Sequence, residues 1–196
     1  EIAESYSSSN TSAGGQKMGE TEDWDEFISP ETGKVLTETR IQFGKSFDPI
    51  IQEYAKQAEE MNLEQIAMES KPGKTFDIKQ KYKNVGALLN GKYATSRSAG
   101  NYLAGYNAQA GTMYGIFSIP FRTFQRLAGA LHVKGNLTRS EIKEIILNKY
   151  KTYGPMPTYG ENRYQFRMSY RGWYNRKFNT IKSWNDQINS SNPRMD

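Results

Sequence analysis

Between Lys71 and Ser140 the chain carries eleven lysines and arginines and a single acid, Asp77. Lys79 stands two residues beyond it. A carboxylate beside a cation can take a proton from a ribose 2′-hydroxyl while Lys79 or Arg97 faces the charge that develops on phosphorus. Glycoside hydrolysis needs two carboxyl groups across the scissile bond instead, and Asp77 with Glu161 is the best pair available. A surface ion pair or turn pair would explain Asp77 and Lys79 without any catalysis. Several other chemistries are closed. There is no cysteine, and His132 is the only histidine, so thiolate sites, multi-histidine metal sites and most Ser-His-Asp arrangements cannot be built. HExxH, CxxC and EF-hand patterns are absent, and Gly100 and Gly105 do not form a dinucleotide fingerprint. Gly86 through Gly91-Lys92 has the spacing of a phosphate-binding loop, but Tyr93 stands where a magnesium-binding Ser or Thr is required. What remains suits acid–base chemistry on a charged polymer, with no metal and no cofactor expected.

Periodicity places these residues on elements. Asp48-Pro49 opens a helix whose Ile50, Ile51, Tyr54, Ala58, Met61 and Ile66 recur at helical spacing to about Met68. Pro72-Gly73 breaks it. If Thr75–Lys79 is extended, Asp77 and Lys79 share a face. In Ser96–Gly111 the small residues Gly100, Ala104, Gly105, Ala108 and Ala110 alternate with Tyr102, Leu103 and Tyr106. Two internal glycines cost about 1 kcal/mol each relative to alanine, so a helix there needs close tertiary packing. Such packing leaves Arg97 and Asn101 in want of polar partners. Phe121, Phe124, Leu127, Ala128 and Leu131 form the next amphipathic face, with His132 at its end. Thr138 and Glu141 make a capping box for a helix over about 139–151, ended by Gly154-Pro155. Tyr150–Tyr174 holds six tyrosines interleaved with basic residues, a pattern that fits either a core or a base-stacking surface. Glu161, Arg163, Arg167 and Arg171 are the polar residues that can converge there. Phe178, Ile181, Trp184 and Ile188 give a last helix, with fraying expected from Ser190.

With 196 residues, 36% apolar content and a mean hydropathy of −0.80, the chain supports one core rather than two. Residues 1–40 carry nine acids and three bases; residues 41–196 carry twelve acids and twenty-three bases. We therefore expect an acidic N-terminal extension over 1–40, disordered over 1–22, and a functional domain over 41–190. The basic body favours polyanionic partners, although a solvated face kept for solubility has the same sign. No run approaches the roughly 18 apolar residues of a membrane span. The chain starts at Glu1 without a basic-then-apolar leader, which suggests a domain of a longer protein.

Phe76-Asp77-Ile78-Lys79, then Leu89-Asn90-Gly91-Lys92-Tyr93, then Ser96-Arg97-Ser98-Ala99-Gly100-Asn101 running into Leu103-Ala104-Gly105-Tyr106-Asn107-Ala108 resemble, in that order, the polymorphic toxin type 44 family of bacteria. Phe124-Gln125, Tyr159-Gly160-Glu161, Arg167-Met168 and Arg171-Gly172 are similar to its C-terminal half, so the likeness spans about residues 70–175. It implies the toxin domain of a larger secreted effector of the Rhs or type VI-linked kind, delivered into a target bacterial cell and neutralised by a cognate immunity protein. Family members are described as predicted ribonucleases. The resemblance makes Asp77, Lys79, Arg97, Asn101 and Glu161 the site candidates, supported by Tyr106, Gln125 and Arg167; Arg171 joins these as a substrate contact. Ser98 stands where some members carry an acid, a departure that bears on neighbouring Arg97.

The expected fold is mainly α, one helical domain with a short hairpin near 75–94 behind a flexible acidic segment. The expected function is a metal-independent ribonuclease toxin. A peptidoglycan hydrolase acting on the cell-wall polymer is the alternative, and the Gly/Ala-rich stretch 99–111 motivates a third, a non-enzymatic membrane-active toxin.

Overall fold

Asn90-Gly91 separates two short apolar runs, and the backbone reverses there with both residues at positive φ (51° and 82°), as a two-residue hairpin turn requires. The resulting strands are β2 (Val85–Leu89) and β3 (Lys92–Thr95). Strand β1 (Arg40–Ser46) pairs parallel to β2 and completes a three-stranded sheet of order β1-β2-β3. This computed structural model describes residues 19–21, 27–29, 32–36, 38–113, 117–147, 149 and 152–191, the side chains of 112, 113, 117, 118 and 184–191 excepted. The flexibility expected of 1–22 falls almost wholly outside the described residues, and of the fraying expected from Ser190 only residues 190 and 191 are described, both as helix.

Around the sheet lie the helices α1 (Asp48–Glu59), α2 (Leu63–Glu69), α3 (Ile78–Lys81), α4 (Ser96–Ala110), α5 (Phe121–Lys134), α6 (Arg139–Ile146) and α7 (Arg163–Ser191). A second, two-stranded pairing joins β4 (Thr112–Met113) to β5 (Phe117–Ser118). The architecture is mainly α with a small β element, as expected. No helix among the described residues is long and apolar enough to cross a membrane.

The single helix expected over 48–68 is two helices. Asn62 interrupts it, because its Oδ1 accepts from Gln65 N–H while its own N–H donates to Gln65 Oε1, both at 2.9 Å. That reciprocal pair satisfies two helix-end donors and starts α2 afresh. Asn62→Ala should cost about 1 kcal/mol, read as a lower urea midpoint with an unchanged slope. Thr138 and Glu141 form the capping box expected of them, and α6 stops at Ile146, short of 151. The last helix is longer than its apolar stripe suggested, since it runs unbroken from Arg163. Phe178 is 67% exposed and Ile181 44%, so that stripe is not buried; the side chains of Trp184 and Ile188 lie outside the described residues.

Two apolar clusters share the interior. One joins Phe47, Ile51, Phe76, Ile78, Leu89 and Leu103 between the sheet, α1 and α4; the other joins Leu63, Phe124, Leu127, Ile142 and Trp173 around α5 and α6. Helices α4 and α7 cross between them with their backbones touching. A Cβ added at Gly105 would lie 1.9 Å from Ser169 O, and one at Gly172 would lie 1.9 Å from Tyr102 O. The small residues of α4 thus have the close-packing role expected of them. Part of the acidic segment also contacts the domain: Phe27 is buried, and Tyr93 N–H donates to Glu20 O at 2.7 Å.

Candidate active site

Phe76 and Ile78 are buried in the first cluster, and Asp77 and Lys79 line, with them, a cleft of about 270 Å³. The segment is not extended. Asp77 Oδ2 accepts from Gly73 N–H (2.7 Å) and Oδ1 from Gln80 N–H (3.2 Å), which makes Asp77 the cap of the short helix α3. A short acidic side chain that satisfies helix-end donors favours this turn over a strand. Both carboxylate oxygens are therefore engaged with backbone, and Asp77 fixes the turn that carries Lys79. The stem of Lys79 lies over Gly100 of α4, where an added Cβ would sit 3.0 Å from Lys79 Cγ.

Glu161 arrives from the opposite wall. The loop before α7 bends through Tyr159 (φ 51°) and Gly160 (φ 102°) and is closed by a bond from Glu161 N–H to Thr158 O (3.0 Å). The α5 helix holds this loop at two points. Gly129 lies so close that an added Cβ would be 2.2 Å from Tyr159 O, and the fully buried Gln125 donates from Nε2 to Thr158 O (3.2 Å) and to Glu161 Oε2 (2.5 Å). Asn162 caps α7 by accepting from Gln165 N–H (2.9 Å). Gln125, expected to touch substrate, instead orients a carboxyl group.

Burial pushes the Glu161 carboxyl up to about 7 from its ordinary 4.5, against the opposing pull of the Gln125 hydrogen bond, the Lys79 charge and a hydrogen bond from Ser169. Lys79 is displaced the other way. Burial lowers its pKa, the Glu161 charge opposes that, Arg97 lowers it further, and Asp77 again opposes. A carboxyl group that ionises near neutrality beside an ammonium that gives up its proton more readily than usual is an acid–base pair matched to neutral pH.

Of the residues singled out in the sequence, Asp77, Lys79, Asn101 and Glu161 line one cleft, with Gln125 behind Glu161. Arg97 stands behind Lys79 with its guanidinium 5.0 Å from the centre of the Tyr164 ring. Arg167 meets the same ring at 5.9 Å, and neither arginine lines the cleft. Tyr106 packs on Tyr102 and under Arg176, away from the cleft, and Arg171 does not line it. The aromatic residues of 166–174 mostly pack on one another and on Phe121, with Tyr170 and Tyr174 left 41% exposed. Sequence reasoning missed Gln165, which lines the cleft, and Ser169, whose hydroxyl favours the ionised form of Glu161. Their spacing from Glu161, four and eight residues, is the signal that a helix beginning near 163 would have supplied. Among the described residues no three acidic or histidine side chains converge as metal ligands.

In comparisons with known proteins, no family model, curated sequence or solved structure matches this chain.

Proposed function

We propose that the chain is the toxin domain of a secreted effector and cleaves RNA by metal-independent acid–base chemistry, with Glu161 as base and Lys79 as acid. The observation that carries this reading is the Glu161–Lys79 pair in one cleft, each group shifted toward neutrality. Ionised Glu161 takes the proton from the 2′-hydroxyl as that oxygen bonds to phosphorus. Lys79 gives a proton to the departing 5′-oxygen as its bond to phosphorus breaks, and Arg97 adds positive potential behind it. Product is a 2′,3′-cyclic phosphate and a free 5′-hydroxyl, and solvent resets both groups. A basic body of +11 over residues 41–196 favours a polyanionic substrate. The resemblance supports delivery into a target bacterial cell and neutralisation by a cognate immunity protein. Asp77 takes a positioning role here, because its oxygens already accept two backbone donors.

Purified chain incubated with total bacterial RNA in excess EDTA should degrade it, and intact RNA after prolonged incubation overturns the proposal. The pH profile adds a second readout. Catalysis needs Glu161 ionised, so the rate should fall about tenfold per unit below its pKa of about 7. It should fall again at alkaline pH, where Lys79 loses its proton before an ordinary lysine does. Activity that stays flat from pH 5 to 8 contradicts this assignment.

One observation favours a second reading, glycan hydrolysis. Two carboxyl groups line one cleft in contrasting surroundings, Glu161 in burial and Asp77 on backbone donors. Release of soluble fragments from purified sacculi, with RNA left intact, would establish it over the first.

A further inference from the structure

Two side chains that line the cleft each carry a buried polar atom that the acid–base chemistry leaves unused. Asn101 Nδ2 and Gln165 Oε1 are buried, and neither has a hydrogen-bond partner among the described residues. Both side chains line the cleft, and Asn101 is only 8% exposed. A buried amide left unpaired costs stability, so an arrangement that retains two such atoms at one site calls for a ligand that pairs them. They are held from different elements, Asn101 on α4 and Gln165 on the first turns of α7. Because those helices meet backbone to backbone at Gly105 and Gly172, the two amides sit on a rigid frame. One atom is a donor and the other an acceptor, so the missing partner both accepts and donates.

The rest of the wall says what shape that partner has. Beyond the amides the cleft is lined by Leu63, Ile66, Ala104, Phe124 and Leu127. An uncharged group with apolar faces and a polar edge fits such a lining, and the whole cleft, at about 270 Å³, has room for one ring system rather than several. We propose that the apolar part of this cleft is a nucleobase pocket, in which Asn101 donates to, and Gln165 accepts from, the edge of the base beside the scissile phosphodiester. The proposal rests on the ribonuclease reading and deepens it. Asn101 becomes a recognition residue, and cleavage becomes base-selective, since a site built to pair polar atoms rejects a substrate that leaves them unpaired.

The test uses the full chain as Glu161→Gln, so that binding is read without cleavage. Affinity is measured for a short single-stranded oligoribonucleotide and for an abasic oligoribonucleotide of equal length. The base-bearing strand should bind at least tenfold more tightly. Asn101→Leu and Gln165→Leu should each bring its affinity down to the abasic level while the melting temperature stays at or above that of the parent, because leucine removes an unpaired buried amide. If leucine at 101 disrupts folding, Asn101→Ser carries the same binding expectation. Equal affinity for the two strands, with RNA still cut by the native chain, overturns the pocket and leaves the ribonuclease reading standing. Binding of an N-acetylated glycan oligomer in place of either strand, lost in the leucine variants, overturns both and assigns the amides to an acetamido group.

Discussion

Glu161→Gln should reduce RNA cleavage by about 10³-fold and make the protein more stable at pH 8. Glutamine keeps the oxygen that accepts from Gln125 Nε2, so the loop before α7 retains its anchor while the ionisable group is lost. The sign of the stability effect follows from the displaced ionisation. In the folded chain the carboxyl group ionises near 7, and in the unfolded chain near its ordinary 4.5. Below pH 4.5 both states hold the proton and there is no differential. Between 4.5 and 7 the unfolded state binds fewer protons than the folded one, so native stability falls as pH rises. Above 7 the full penalty is present, on the order of 3 kcal/mol for a displacement of this size at about 1.4 kcal/mol per pH unit. Melting temperatures across pH 4–9 measure it. The native protein and the Glu161→Gln variant should converge at pH 4 and separate by several degrees at pH 8. Equal melting temperatures at pH 8, or retained cleavage, would remove Glu161 from its assigned role.

The second large effect belongs to the helix crossing. In Gly105→Ala the new methyl carbon meets Ser169 O at 1.9 Å, and in Gly172→Ala it meets Tyr102 O at the same distance. These neighbours are backbone atoms and cannot rotate away, so α4 and α7 must separate. Each substitution should cost about 3 kcal/mol or more, the upper range for overpacking. Activity should be lost with it, because α4 carries Asn101 and Glu161 leads into α7. The two sites share one interface, so the double variant should cost clearly less than the sum of the singles. Urea titrations of all three variants decide this. A loss under about 0.5 kcal/mol in either single variant would mean that the helices are not seated so closely.

Sequence patterns revealed the parts of this fold that depend on neighbours in the chain. Thr138 and Glu141 marked the start of α6, Asn90-Gly91 lies at the hairpin reversal, and the small residues of 99–111 pointed to a close helix contact. Asp77 stood out as a lone acid, but the same shortness and charge that made it conspicuous suit it to capping, and its two backbone partners are visible only in three dimensions. Gln125 and Glu161 are thirty-six residues apart, and no local pattern joins them. Nor does periodicity show that burial moves the Glu161 carboxyl, since burial is set by walls from α2, α4 and α5. The length of α7 escaped for a related reason. Its second half exposes apolar side chains such as Phe178, so the amphipathic pattern did not describe one continuous helix facing one core.

The seat of α7 against α4 also orders events in time. A nascent chain leaves the ribosome with the sheet, α1 and α4 already synthesised, while Glu161 and the residues that close over Gly105 are still to come. Until then α4 exposes a strip of bare backbone and the cleft lacks Glu161 and Gln165. Joining segments so far apart in the chain is a late, entropically costly step, so the domain gains its stability and its acid–base pair together. An interrupted translation product that ends before residue 161 has Lys79 without its partner and so lacks the acid–base pair on which the proposed chemistry depends.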